Sequence, residues 1–254
     1  MTLAVALAAA AGLAGLGLRL RWLSAGGATA ATAVGTAVFW GGGLAGAVIL
    51  AGFFASGSLL TAHTARMTGA GPQPRTAAQV LANGACAAVG ALILPHAPEG
   101  WLILAGATAA AQADTWATEI GARASAPPRL ITTLTPVPQG TSGGVTPLGT
   151  AGGVAGATTA AAVAGLVGAP QGVAMAALVA GIVGMTADSL LGATLQARYR
   201  CAACGVDLEH RQHVCGLTAA HVRGLRWMSN DAVNLLATIA GAAAAWAWAR
   251  GPGW

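Results

Sequence analysis

The stretch AAQADTWATEIG, residues 110–121, decides how the rest of the chain is read, because it sets Asp114 and Glu119 inside a run otherwise apolar enough for lipid. The chain has seven carboxylates, Glu99, Asp114, Glu119, Asp188, Asp207, Glu209 and Asp231. Four of them, Asp114, Glu119, Asp188 and Asp231, lie within or at the edge of long apolar runs. An ionisable group there is costly unless a partner or a watery cavity receives it, so these four point to function. At about 100° per residue, Gln112, Asp114, Thr115, Thr118, Glu119 and Gly121 fall on one half of a helix, opposite Ala113, Trp116, Ala117 and Ile120. Asp114 and Glu119 then stand roughly 140° apart and flank a polar arc that other helices must complete. The plainer account of the same residues is interhelical hydrogen bonding, for which Ser or Thr would serve as well.

With 254 residues, 56% of them hydrophobic and only 7% charged, the chain is too apolar for a soluble domain. Its long continuous apolar runs are those of membrane-spanning helices, since barrel strands alternate in short segments. The 38 glycines, set among many alanines, suit close helix packing. All twelve basic residues are arginine. The lack of lysine excludes the P-loop signature, the kinase-type phosphate-binding lysine and Schiff-base chemistry. The net charge of +5 would suggest nucleic acid in a soluble protein, but these arginines sit in short loops and read as topology signals, with no nucleic-acid partner.

Residues 1–18 form a first apolar run followed by Arg19 and Arg21, with no basic segment ahead of it, so a span with its N-terminus outside is expected in place of a cleaved signal peptide. Residues 28–40 and 42–60, separated by Gly41, Gly42 and Gly43, form either one bent span or a hairpin. The hairpin puts every arginine-bearing loop on one side, leaving only Arg250 opposite. Further spans are expected over 77–96, 101–121, 147–168, 171–195 and 231–249, each near the ~20 residues a bilayer requires. The expected fold is therefore all-α and polytopic: about eight transmembrane helices in a single domain over 1–254, with a cytosolic loop at 196–229. In this arrangement all four acids open toward the cytosol.

Three further motifs carry chemistry. Residues 140–153, GTSGGVTPLGTAGG, offer Gly140, Thr141, Ser142, Gly143 and Gly144 ahead of a helix N-terminus, where backbone amides could cradle phosphates; a flexible re-entrant connection is the alternative. Asp188, Gly192, Gln196 and Tyr199 are spaced four, four and three, as on one helix face. In the last span Asn230, Asp231 and Asn234 stand together, and Ser229 or Asn230 can cap the helix. Carboxylates on three helices, each beside amides or hydroxyls, are what a magnesium site holding nucleotide phosphates requires, with Asp114, Glu119 and Asp188 as ligands. The loop CAACGVDLEHRQHVC, residues 201–215, supplies Cys201, Cys204, His210, His213 and Cys215, either a zinc cage of irregular spacing or an unliganded loop.

Several of these motifs occur in one order: FFASGSLLT at 53–61, QVLANG at 79–84, ADTWATEIG at 113–121, GTSGGVTPLGT at 140–150, ADSLLGATLQ at 187–196 and NDAVNL at 230–235. In this the chain resembles the integral membrane family that includes chloroplast phytyl-phosphate kinase, with distant similarity to polyprenol and dolichol kinases and CDP-lipid synthases. The resemblance implies CTP-dependent phosphorylation of an isoprenoid monophosphate to the diphosphate. It makes Asp114, Glu119, Asp188 and Asp231 the polar core, with Asn83, Asn230 and Asn234 beside them. Relatives often carry lysine after SLLT, whereas here His63, Arg66 and Arg75 are the basic groups, so a phosphate clamp there would be arginine. The partners implied are the prenyl phosphate, the nucleotide and membrane lipid; a homodimer is left open. A cytidylyltransferase making a CDP-lipid would share the nucleotide site, and a transporter would also keep acids inside the membrane. Against the transporter stand the gathering of acids near one face and the lack of an internal repeat.

Overall fold

The structure, a computed structural model, describes residues 2–69, 73–209, 211–212 and 214–251. Its helices are α1 (Leu3–Arg19), α2 (Ala25–Thr68), α3 (Ala77–Ile93), α4 (Gly100–Gly121), α5 (Pro147–Leu166), α6 (Val173–Thr194) and α7 (Asn230–Ala249). Five short strands lie in the loops, which amends the all-α expectation. β1 (Arg129–Leu130) pairs antiparallel with β2 (Gly144–Val145), and β3 (Arg198–Arg200) is flanked by β4 (Asp207–Leu208) and β5 (Ala220–Arg223).

Polar side chains set where these helices begin. Thr2, Ser24, Thr76, Thr146 and Ser229 each accept a backbone N–H of the first turn, and Gln79 completes a capping box with Thr76. Pro147, just inside α5, suits a position whose N–H has no helical partner.

The hairpin reading of residues 28–60 holds. Gly43 leaves helical geometry at φ 60°, ψ −158°, a conformation glycine adopts without a Cβ clash. Ser24, ahead of the first arm, bonds Arg75 through its backbone, and Phe53 on the second arm stacks on the Arg75 guanidinium. Both arms thus reach the level of Arg75, which a straight helix about 1.5 Å per residue long could not allow. A Cβ at Gly46 would lie 3.3 Å from the Val38 carbonyl, as expected of two antiparallel arms.

Close contacts sort the loops by end. Gly121 meets Gly149, Gly181 meets Ala157 and Ala109, and Gly241 meets Ala110 and Gly106, so α5 and α7 run antiparallel to α4 while α6 runs parallel to it. The loops bearing Arg19, Arg21, Arg66, Arg75, Arg123, Arg129 and Arg198–Arg226 share one end; the turns at Gly43, Pro95–Glu99 and Val167–Gly172 share the other. Helix α4 is central, touching α2, α3, α5, α6 and α7. Its buried face is small: Ala105, Ala107, Ala109, Ala110, Ala111 and Ala113. With so little side-chain bulk, packing depends on backbones coming close. Gly184 is the clearest case, because a Cβ there would run into the Ala110 methyl and lie 3.2 Å from the Ala237 carbonyl. The outer surfaces of α1 and α2 carry exposed Leu3, Leu7, Leu13, Leu16, Leu44 and Leu59, as lipid-facing helices should.

Candidate active site at the arginine-rich end

Asp114 and Asp188 come together because of the close packing just described. Ala110, Gly184 and Ala237 converge on one point. One helical turn toward the arginine-rich end from each lie Asp114 on α4, Asp188 on α6 and Asn234 on α7, so the three occupy one layer. Asp188 interacts electrostatically with Asp114 and with Glu209. Its Oδ2 is buried and, among the described residues, has no hydrogen-bond partner. A buried oxygen left so is costly unless something supplies positive charge or a donor.

Glu119 belongs to a second group, about a turn and a half further along α4. The Thr61 hydroxyl of α2 donates to its Oε1 at 2.7 Å, and Thr64 donates to its backbone carbonyl at 3.3 Å. Opposite is Arg75, whose backbone is tied to the α1–α2 turn: its N–H donates to Trp22 at 2.9 Å, and its carbonyl accepts from Ser24 at 3.1 Å. The guanidinium lies over Phe53 at 5.5 Å and Phe54 at 5.7 Å and passes beside Gly57, where a Cβ would come within 2.9 Å of it. Burial pulls its pKa below the ordinary value, while the Glu119 charge acts in the opposite sense. Among the described residues the ion pair that forms is Arg200 with Asp207, so Arg75 has a charge neighbour in Glu119 but no carboxylate in contact. A cavity of about 30 Å³ beside it is lined by Arg21, Ser58, Thr61 and Gln73. The Ser58 Oγ is buried there without a partner among the described residues.

The glycine loop forms an ordered lid on the end of α6 and is not a loose connection. Gly143, at φ 80°, presses against the backbone of Ala193, and Gly192 meets Ser142. The Ser142 hydroxyl donates to Glu209, and Arg198 donates to the Ser142 carbonyl at 3.3 Å. Gly144 lies in β2, Thr141 accepts the Gly144 N–H at 2.9 Å, and Gly140 is exposed at φ 77°. Part of this motif has a packing role: Gly149, Gly152 and Gly153 bring α5 against α4 and α6.

Several expectations need correction. The polar arc of α4 is divided among three neighbours: Gln112 donates to the Gly156 carbonyl of α5 at 3.1 Å, Glu119 serves α2, and Asp114 faces α6. Gln112 is thus glue. Asp231 lies in the first turn of α7, one turn on the arginine-rich side of Asn234, and Asn230 is exposed; the cap is Ser229. Asn83 donates to Gln79 of its own helix at 3.0 Å. Tyr199 leaves the helix face that spacing suggested, because α6 ends at Thr194; it sits in β3 against His221. Cys201, Cys204 and Cys215 come together, whereas His210 and His213 lie outside the described residues. In that cluster the amide of Cys204 draws the Cys201 thiol down, while Cys215 and Cys201 push Cys204 up to about 11. Thr61, Ser58, Glu209 and Arg198 carry no sequence signal of these positions: hydroxyls in an apolar helix read as packing residues, and Glu209 reads as a solvated loop acid.

Apolar helices, a hairpin that gathers the arginines at one end, and carboxylates buried between helices define a multi-pass integral membrane protein with a polar centre. Its sequence matches the model of the family described as integral membrane protein DUF92 over residues 8–242, and the chain belongs to that family. It is similar to Protein PGR of Arabidopsis thaliana, 61% identical over 33 residues, which cover 13% of this chain and 12% of that protein. No solved structure matches the chain.

Proposed function

We propose that this protein is a CTP- and magnesium-dependent kinase that converts an isoprenoid monophosphate to the diphosphate, its eight helical rods crossing the membrane with the arginine-rich end in the cytosol. The observation that carries the reading is the pairing of Asp114 with Asp188, the latter keeping a buried oxygen without a partner. Hard carboxylate oxygens between helices suit magnesium. Asp114 and Asp188 would hold it, with Glu119 nearest the acceptor side, and when bound it would supply neutralisation of phosphate charge. A phosphate monoester is already an anionic nucleophile, so no general base is needed.

The chain's own residues provide position and countercharge. Arg75 is fixed by its backbone and by two aromatic faces, and its guanidinium is free of a contacting carboxylate, so it can take the acceptor phosphate beside Ser58 and Thr61. Thr61 holds Glu119 in place. The Ser142 loop, clamped by Glu209 and Arg198, covers the end of α6 where a nucleotide would approach from the cytosol. The exposed apolar flanks of α1 and α2 leave the prenyl tail in lipid.

Access tests this reading against a transporter. Thr141→Cys puts a thiol in the glycine loop while leaving the Ser142 hydroxyl in place. In sealed vesicles, measured against the parent protein, it should react with an impermeant maleimide only from the cytosolic face, and CTP with magnesium should protect it. Labelling from the outside, or protection that follows an ion gradient and ignores nucleotide, would overturn the proposal.

A further inference from the structure

The loop between α6 and α7 cannot be held by its own apolar core. Its buried cluster is Ala197, Tyr199 and Ala219, with Leu208 at the edge, while Val214, Leu217, Val222 and Trp227 are exposed. Backbone bonds from Ala197 to Met228 and from Leu225 to Leu195 pin the base of this loop, and a covalent or metal staple would hold its tip.

Two turns supply one. In the first, the Cys201 N–H donates to Val206 at 3.0 Å and the Gly205 N–H to Cys201 at 2.8 Å, with Gly205 at φ 67°. This wraps residues 201–206 into a tight turn that brings Cys204 back toward Cys201. In the second, Gln212 pairs with Thr218 and the Ala219 N–H donates to Arg211 at 2.7 Å, which folds Cys215 back over the first turn. The three sulfurs lie within 4.8 Å of one another, Cys201 and Cys215 at 3.7 Å. Two sulfurs bound at the usual zinc distance to one tetrahedral centre would be about 3.8 Å apart, whereas a disulfide would require about 2.05 Å.

We propose that Cys201, Cys204 and Cys215 bind one zinc ion as thiolates, a structural site whose fourth position falls to a further ligand or water. Three thiols cannot all pair as disulfides, and a soft sulfur set selects zinc over magnesium or calcium. Arg198, Arg200, Arg211, Arg223 and Arg226 surround the site in sequence and offset its negative charge. The consequence reaches the candidate active site, because the same loop carries Glu209 to Ser142 and Asp188, and Arg198 to the Ser142 carbonyl. The zinc is therefore the clamp that keeps this loop seated, and it stands whether or not the kinase reading does.

The test uses the full chain purified in detergent without chelator. Elemental analysis should give one zinc per chain. Titrating the thiols with a mercurial in the presence of a zinc-sensitive dye should release that zinc as the three thiols react. Cys204→Ser and Cys215→Ser should each lose the metal, and Cys86→Ser should keep it. Should the variants fail to fold, the parent protein still decides: stripping with a chelator should expose the arginines of residues 198–226 to trypsin, and adding back zinc should restore protection. No zinc in the intact protein, a Cys201–Cys215 disulfide by mass spectrometry, or zinc retained in both serine variants would overturn the proposal.

Discussion

Replacing Thr61 by valine keeps the shape of the second arm of α2 and removes one hydroxyl. That hydroxyl donates at 2.7 Å to Glu119, a charge-assisted bond joining α2 to α4. Hydrogen bonds to charged groups contribute about 1.5–3 kcal/mol, and the partial exposure of Glu119 argues for the lower half of that range. At the roughly 2–4 °C per kcal/mol expected of a chain this long, unfolding in detergent should fall by roughly 3–8 °C. Thr61→Ser keeps the donor and should stay close to the parent. In a Glu119→Gln background the acceptor is neutral, so the same Thr61→Val change should cost only about 1 kcal/mol. Tryptophan fluorescence followed through thermal unfolding of the four proteins measures the cycle. Equal behaviour of the valine and serine variants, or strict additivity with Glu119→Gln, would mean that this bond does not hold the acid in place.

Asp114→Asn, Asp188→Asn and Glu119→Gln should each lower turnover at least about a hundredfold, since one lost metal or transition-state contact costs on the order of 3 kcal/mol; near-normal turnover in any two of the three would remove them from the site. Arg75→Lys keeps the charge but loses the planar fork stacked on Phe53 and Phe54, so the KM for the prenyl phosphate should rise more than kcat falls; an unchanged KM would argue against an acceptor clamp. Gly184→Val drives a side chain into Ala110 and should destabilise the bundle by about 1–3 kcal/mol, whereas Gly12→Ala, in open space, should be neutral or slightly stabilising; equal effects in thermal unfolding would contradict the packing described. Arg200 holds the Asp207 carboxyl below its ordinary range through a hydrogen bond, so its contribution is present above the unfolded pKa and lost as pH falls through the folded value. Amide hydrogen exchange of residues 200–208, corrected for the intrinsic pH dependence of exchange, should therefore show constant protection from about pH 7 to 5 and lose it only below roughly pH 4; loosening at pH 6 would point to another group.

What could be read from the residues was whatever carried a cost. Acids in apolar runs are expensive, and Asp114, Glu119 and Asp188 stand out in the sequence for that reason. Arginine distribution resolved the hairpin, and Gly43 supplied its turn. The partners of the acids were harder to see. Thr61 and Ser58 sit in an apolar helix where a hydroxyl can satisfy itself on its own backbone, as Thr158 and Thr186 do here, so composition does not distinguish a hydroxyl that reaches across from one that does not. Glu209 is placed by a fold of the loop that depends on contacts far apart in sequence. The glycines of 140–153 mislead in the other direction, because backbone approach to a phosphate and backbone approach to a neighbouring helix require the same residue.

Phosphoryl transfer at the Asp114–Asp188 layer can be read by following both ends of the nucleotide. Purified protein, magnesium and a prenyl monophosphate are incubated in parallel with CTP labelled at the γ-phosphate and at the α-phosphate, and the lipid products are separated. A kinase gives γ-label in a prenyl diphosphate, no α-label in lipid, and loss of the product in Asp188→Asn. Label from the α-phosphate in the lipid would make the protein a cytidylyltransferase, and label from neither position would rule out nucleotide transfer to this lipid.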